Sequence, residues 1–280
     1  MKETIFHLED RAGKYMYHFI YFNLAGLYYI ENKLYNIKGH DAIKKGSTFP
    51  FLNKIVSKPS QDLVYPIKVH MNDVLQFHRE AFDIIKDKFI LVEDLNSLND
   101  YEVVNIYGGK PRFADITETI PYIRNLFLSR IETKYNDNNK NIYLTRKYTA
   151  QFHKGNLRRH ILNEDMLIKT LNDYNFNYVI LEELSFKEKI QIFMNAETLI
   201  STHTGGLTFT TFCKTDANII EILKNGTPGF PNCHYINIAK TLNFKNYKKY
   251  SNINEDKQGN FNLNIEQFKQ FLLPYLKSYK

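Results

Sequence analysis

The chain has no tryptophan and only two cysteines in 280 residues. Cys213 and Cys233 stand in no metal-binding or redox spacing, so both read as reduced structural thiols. No Gly-Lys-Ser/Thr phosphate loop is present, which excludes a P-loop kinase. No Asp-x-Asp triplet occurs, so the divalent-metal site that such triplets build in metal-dependent transferases is missing, and no metal is expected. No Gly-x-Ser-x-Gly elbow occurs either, which excludes the usual α/β-hydrolase nucleophile. An Arg-rich tract, zinc spacing and an RNA-binding aromatic signature are all lacking, so a nucleic-acid partner is not expected.

Long apolar runs are lacking too. The opening MKETIFHLEDRAGK carries charges where a signal peptide needs an apolar core. Tyr15–Ile30 is apolar and aromatic, but His18 and Asn23 interrupt it and it is shorter than a membrane span. It reads as a buried helix. Asn225-Gly226-Thr227 matches a glycosylation sequon, discounted without a secretory signal. The expectation is a soluble, cytoplasmic protein with no membrane span.

What is present points elsewhere. Twenty Tyr and 21 Phe provide much of the material for a core. The formal charge of +7 suits a phosphate-bearing ligand or an acidic surface.

Along the chain, a helix is expected over Tyr17–Tyr29 and strands over Val64–Val69, Phe89–Val92 and Val103–Tyr107. Val74, Phe77, His78, Phe82 and Ile85 recur at helical spacing, with Asn72 or Asp73 where an N-cap belongs. A helix from about Pro121 to Ile131 closes this part. TKYNDNNKN, residues 133–141, reads as a linker. Regular alternation follows: strand Ile142–Thr145, helix Asn163–Tyr174, strand Tyr178–Leu181, helix Phe186–Asn195, strand Leu199–Ser201, a Gly turn with a short helix, and strand Ile219–Leu223. Such alternation argues for an α/β fold with a parallel sheet, where ligands sit beyond the carboxyl ends of the strands. Two sheet-bearing halves with a cleft between them are expected: an acceptor-binding domain over 1–132, a nucleotide-binding domain over 142–262, and a C-terminal helix within 263–280 that packs back on the first domain.

The stretch around which the rest is organised is AETLISTHTGGLTFTTFCKTDANIIEIL, 196–223. An apolar strand ends in His203-Thr204-Gly205-Gly206. The glycines let backbone approach a ligand, and the following helix points its N–H groups at that ligand. The same pair also serves a plain tight turn. His203 is a candidate phosphate contact. Glu221, inside an apolar strand, is costly to bury unpaired; it pairs with an Arg or accepts from a ribose. Arg146, Arg158 and Arg159 precede a helix and suit a diphosphate, an Arg fork being able to bind phosphate bidentately. Asn163-Glu164 has the look of a helix start, and capping alone would explain both. Asp73 is either an N-cap or a general base at a strand's carboxyl end; His70 and His18 are the other candidate bases.

Taken in order, YLTRK, LRRHILNEDMLIKTL, NYVILEELSFKEKIQIFMNAETLISTHTGGLTFTTF and NIIEIL resemble glycosyltransferase family 61. Its pattern reads Arg, Arg-Arg-x-x-Asn-Glu, an acid before Ser-Phe-x-Glu-Gln, Ala, His-Gly-Ala-Gly-Leu-Thr-Asn and a strand Glu. The resemblance covers about residues 141–223, with His234-Tyr235, Ala239 and Leu242 beyond it. Departures are Lys189 for the Gln and His203-Thr204-Gly205-Gly206-Leu207-Thr208-Phe209 for the His-Gly motif. The acid of the family's N-terminal helix corresponds to Tyr21 here, so the base is sought elsewhere. The resemblance implies a GT-B architecture of two Rossmann-like domains, inversion, no metal, a UDP-sugar donor and a glycan or glycoprotein acceptor. It also implies donor contacts from Arg146, Arg159, His203, Thr204, Gly205, Gly206, Leu207 and Glu221, with Arg158 stabilising the leaving diphosphate; the catalytic base is read from position instead, as Asp73 at the carboxyl end of a strand. The short chain is most similar to compact xylosyltransferases of large algal DNA viruses, which makes UDP-xylose the expected donor and the host cytoplasm the expected compartment.

Overall fold

The computed structural model describes residues 3–9, 16–32, 63–93, 101–107, 113–133, 140–146, 159–224 and 234–276. The chain divides into two compact units, Met1–Ile131 and Glu132–Lys280. The division falls beside the expected linker, whose residues 134–139 lie outside the described residues.

The first unit carries four parallel strands among the described residues: β1 (Glu3–Glu9), β2 (Ile67–His70), β3 (Phe89–Leu91) and β4 (Tyr101–Tyr107), in the order β3-β2-β1-β4. Sequence reading missed β1. Its successive Ile5 and Phe6 are both buried, as a strand covered on both faces requires. Three contiguous stretches, Met16–His18, the π-helical Phe19–Asn23 and Leu24–Glu31, make the helix α1. It is buried along most of its length, with Phe19, Ile20, Leu24, Leu27 and Ile30 fully enclosed. Gly26 lets it lie close on β1, because a Cβ there would come within 2.8 Å of the Leu8 side chain.

Helix α2 (Gln76–Ile84) follows β2 and buries His78, Ala81 and Phe82. The expected N-cap at Asn72 or Asp73 is corrected here. Leu75 occupies that position, and its N–H donates to His78 Nδ1 at 2.9 Å. Asp73 stands outside the helix with φ +52°. After β4, α3 (Phe113–Leu128) starts earlier than the expected Pro121 and carries that proline inside it.

The second unit runs β5 (Asn141–Leu144), α4 (Glu164–Asn172), β6 (Phe176–Val179), α5 (Phe186–Asn195), β7 (Thr198–Thr202), a 3-10 helix (Gly205–Phe212), β8 (Asn218–Ile222), α6 (His234–Thr241), β9 (Asn246–Tyr250) and α7 (Ile265–Leu272). Among the described residues its five strands are all parallel, in the order β6-β5-β7-β8-β9. The chain winds one way from β5 to β6, then the other way from β7 onwards. The switch point therefore lies between β5 and β7, where open parallel sheets take their ligands.

Ser185 and Glu188 form a capping box on α5: Glu188 N–H donates to Ser185 Oγ at 3.3 Å, and Ser185 N–H to Glu188 Oε2 at 2.8 Å. That part of the Ser-Phe-x-Glu pattern thus starts a helix, an effect of about 1 kcal/mol. One face of the sheet packs Tyr143, Ile200, Ile220 and Ile222 against Leu167 of α4 and Phe268 and Leu272 of α7. The C-terminal helix thus contributes Phe268 and Leu272 to the core of the second unit. Beneath the Gly turn, Phe186 and Phe193 of α5 pack on Phe209. Cys213 is a buried free thiol; Cys233 lies outside the described residues. Among the described residues no helix is long and apolar enough to cross a membrane.

Candidate functional site

Strand β7 is buried throughout and delivers His203 directly to the switch point. His203 is itself buried, with its N–H on Ile222 O of the neighbouring strand at 3.2 Å. Its Nδ1 lies 2.5 Å from Glu221 Oε1, and the second Glu221 oxygen accepts from Tyr247 OH at 2.6 Å. Among the described residues the protein partners of Glu221 are thus His203 and Tyr247, not an arginine, one of the two partners expected for it. Register explains why: Glu221 stands opposite Ser201 on β7 and Lys249 on β9, which brings His203 and Tyr247 to its two sides. A carboxylate against Nδ1 makes that nitrogen the N–H donor and fixes the ring's orientation. Tyr235 holds the ring from another side, with centroids 5.0 Å apart.

Arg146 leaves the end of β5 and donates from Nη1 to His203 O at 2.8 Å. The two strands that flank the switch point are thus tied by a guanidinium at their carboxyl ends. Thr204 caps the 3-10 helix through its backbone alone, and Leu207 N–H is taken by Thr204 O at 3.0 Å. The N–H groups of Gly205 and Gly206 have no backbone partner among the described residues, and both glycines are partly exposed. Such N–H groups at a helix start are able to donate to an anion. Leu207, by contrast, is fully buried and anchors the turn from below. Gly206 has a packing reason as well: a Cβ there would meet Leu181 at 2.4 Å.

Arg158 lies outside the described residues. Its neighbour Arg159 adopts φ +58° and binds Gln258 O through its N–H at 3.3 Å. The next residues continue this pairing, with Ile161 bridging to Phe261. Asn163 does not cap α4 with its side chain. Its amide donates to Leu263 O at 2.9 Å and accepts from Leu263 N–H at 2.8 Å, tying α4 to the segment before α7.

Glu164 is not a cap either. Tyr143 OH and Thr145 Oγ1, from the end of β5, both donate to its Oε1, at 2.6 and 2.7 Å. Burial first, and then the Glu164 charge, hold the Tyr143 phenol well above its ordinary range, so it remains a donor. Tyr143, Thr145, Glu164 and Tyr247 were missed as site residues. Tyr143 and Thr145 share a face by strand alternation, but only the helix that returns over them shows what they hold.

In the first unit, Asp73 is exposed, and its carboxylate has no partner among the described residues. His70 stands opposite His7 on β1, and their Nδ1 atoms are 2.6 Å apart. Burial, and then the neighbouring His7, lower its pKa to about 4. A ring so disposed is a weak proton acceptor, with one nitrogen already engaged. His18 packs on Phe22 within α1, centroids 5.0 Å apart.

A parallel sheet of this order, with backbone and guanidinium donors gathered at its switch point, has the chemistry to receive an anionic ligand there. The profile of the family described as Glycosyltransferase 61 matches residues 16–220. The chain belongs to glycosyltransferase family 61, which gives it glycosyltransferase activity in general, with a nucleotide-sugar donor and a glycan acceptor. No curated protein matches it significantly.

Proposed function

We propose that this chain is an inverting glycosyltransferase of GT-B type, which moves a sugar from a UDP-sugar to a hydroxyl of a glycan. Xylose is our reading of the sugar, on resemblance alone. One observation carries the donor assignment: the Arg146–His203–Glu221–Tyr247 chain of hydrogen bonds beside the Gly205-Gly206 turn, at the switch point of the second sheet. The diphosphate takes the turn's N–H groups, with His203 held ready by Glu221. Arg158 and Arg159 add charge. Each such preorganised donor is worth about 3–4 kcal/mol on the departing diphosphate. With the leaving charge met in this way, the reaction needs no metal.

The first unit supplies the proton acceptor. The acceptor hydroxyl attacks the anomeric carbon, the bond to the diphosphate breaks, and the hydroxyl proton passes to Asp73. Its exposure and lack of any partner among the described residues favour this role over capping. The test is to incubate the protein with a panel of UDP-sugars and measure UDP release with and without glycan acceptors. Release with UDP-xylose is the expected result; none with any sugar refutes the reading.

One observation favours a rival, a non-catalytic module that binds nucleotide or glycan. Tyr21, which stands where the family has its acid, is buried and stacks on Tyr17 with centroids 4.7 Å apart. Binding of UDP without turnover on any acceptor would support it.

A further inference from the structure

Arg159 stands at φ +58°, an uncommon backbone conformation for a residue with a side chain. Such a residue persists only where its surroundings hold it there. What holds it comes from the chain between β9 and α7. Residues 159–163 and 258–263 run side by side. Arg159 N–H donates to Gln258 O at 3.3 Å, Phe261 N–H to His160 O at 3.0 Å and Leu162 N–H to Phe261 O at 2.8 Å. Two asparagine side chains extend the pairing. Asn260 Oδ1 accepts from His160 N–H at 3.0 Å, and Asn163 engages both backbone groups of Leu263.

The turn that opens the partner segment is built around one exposed carboxylate. Asp256 Oδ1 accepts from Gln258 N–H and Asn260 N–H, both at 2.8 Å, and its Oδ2 from Asn260 Nδ2 at 3.2 Å. Gly259 N–H donates to Asp256 O at 3.0 Å. Asn260 is buried between this carboxylate and the His160 peptide. Gly259 has φ +82°, and a Cβ there would come within 3.2 Å of Arg159 Cγ. The turn thus lies against the arginine's stem as well as its backbone.

Starting α4 does not require all of this. Asn163 and the Ile161–Phe261 bridge already tie that helix to the segment before α7. The Asp256 turn reaches further back along the chain and ends on Arg159. The stretch it holds enters α4 at the carboxyl edge of the sheet, where Glu164 meets Tyr143 and Thr145 from the end of β5. A guanidinium carried on a fixed backbone loses less freedom on binding an anion than one on a loose loop.

Resting on the donor reading above, we infer that the Asp256–Asn260 turn positions Arg159 for the diphosphate. Asp256 shapes the turn, Gly259 leaves room for the arginine's stem, and Asn260 fixes the peptide that follows it. These three are positioning residues: they act on the ligand only through Arg159.

The test is calorimetry with UDP on the full chain. It compares the wild type, Arg159→Ala, Gly259→Ala, Asp256→Ala and Asp256→Asn, with the two turn-to-alanine changes also combined with Arg159→Ala. Arg159→Ala should weaken UDP about tenfold, as loss of a hydrogen bond to a charged group predicts. Gly259→Ala and Asp256→Ala should each weaken it severalfold alone and hardly further once Arg159 is gone, because residues that act through one contact are not additive. Asp256→Asn keeps the Oδ1 acceptor and should retain most of the affinity. Asp256 is exposed, so its variants decide the matter should Gly259→Ala fail to fold. Losses that add in full to that of Arg159→Ala overturn the inference, since the turn then acts elsewhere. So does wild-type affinity in both turn variants. A loss in Asp256→Asn equal to that in Asp256→Ala overturns it by making charge, not geometry, the cause. Unchanged affinity in Arg159→Ala overturns it while the donor reading stands on the Gly turn. A wild type that binds no UDP refutes the donor reading itself, and this inference with it.

Discussion

Glu31 and Glu164 are both partly buried carboxylates beside a parallel sheet, yet they are finished differently. Glu31 ends α1 at the amino-terminal edge of the first sheet. Its Oε1 accepts from Tyr65 OH and Lys88 Nζ, both at 2.8 Å, and its Oε2 from Tyr122 OH at 2.7 Å. Tyr65 precedes β2 and Lys88 precedes β3, so the carboxylate gathers the starts of two strands and a helix. Glu164, at the carboxyl edge of the second sheet, has both of its donors on one oxygen. A saturated carboxylate holds a fold together; an unsaturated one keeps capacity for something else. The saturated one lies at the edge where parallel sheets bind nothing, and the open one at the edge where they bind ligands.

If carboxyl edges carry function, the largest effect belongs to Asp73, which follows β2 at that edge. Asp73→Asn should lower turnover about 10²–10⁴-fold, the usual contribution of a general base, with the fold and UDP affinity unchanged. Near wild-type turnover in a transfer assay would move the base elsewhere and leave the first unit's carboxyl edge without a catalytic role. The next effects lie in the second unit. Glu221→Gln removes the charge that orients His203, and Arg158→Ala removes one candidate phosphate contact. Hydrogen bonds to charged groups are worth about 1.5–3 kcal/mol, so each should weaken UDP binding roughly tenfold or more. UDP titrations that show no change for both would detach the donor site from the switch point.

Much of this division is legible in the amino-acid sequence. The alternation after residue 141, the turn at Gly205-Gly206, and the placing of Arg146, His203 and Glu221 at strand ends all follow from local pattern. What is not legible depends on strand order and register. Glu221 meets His203 and Tyr247 only because β7, β8 and β9 lie side by side. Asn163 meets Leu263 across 100 residues of sequence. Asp73 misleads for a local reason instead: a good capping residue precedes the helix, but the chain turns at φ +52° and His78 reaches back to Leu75.

Glu31→Gln tests the folding side. Burial pushes the Glu31 carboxyl up, but hydrogen bonds from Lys88, Tyr122 and Tyr65 outweigh it and leave it below its ordinary value. A folded pKa below the unfolded one means stability that is present above the unfolded pKa and lost as pH falls through the folded one. The variant should lose about 1.5–3 kcal/mol at neutral pH and less below the carboxylate range, with UDP affinity and turnover unchanged. Urea unfolding at neutral and acid pH measures this. A variant as stable as the wild type but impaired in transfer would reverse the contrast between the two edges.

The smallest expected effect on activity is that of His70→Gln, and it sharpens the contrast within the first unit. His70 ends β2, three residues before Asp73, so position alone does not choose between them. Their surroundings do. The His70 ring is buried, with Nδ1 against His7 Nδ1, and burial, followed by the His7 charge, lowers its pKa to about 4. Burial lowers that of His7 as well. The His70 ring is therefore neutral in the folded protein where the unfolded chain, with an ordinary histidine pKa near 6.5, already takes up protons. The unfolded state binds more protons between pH about 6.5 and 4, so the pair costs stability progressively as pH falls through that window. His70→Gln removes one of the two groups. Its stability should decline less steeply across the window, while turnover at neutral pH stays within about twofold, far from the 10²-fold or more expected for a base. Unfolding midpoints and initial rates over the same pH series test both halves. A hundredfold loss of turnover in His70→Gln, with Asp73→Asn active, would make the buried pair the proton acceptor and leave Asp73 a turn residue.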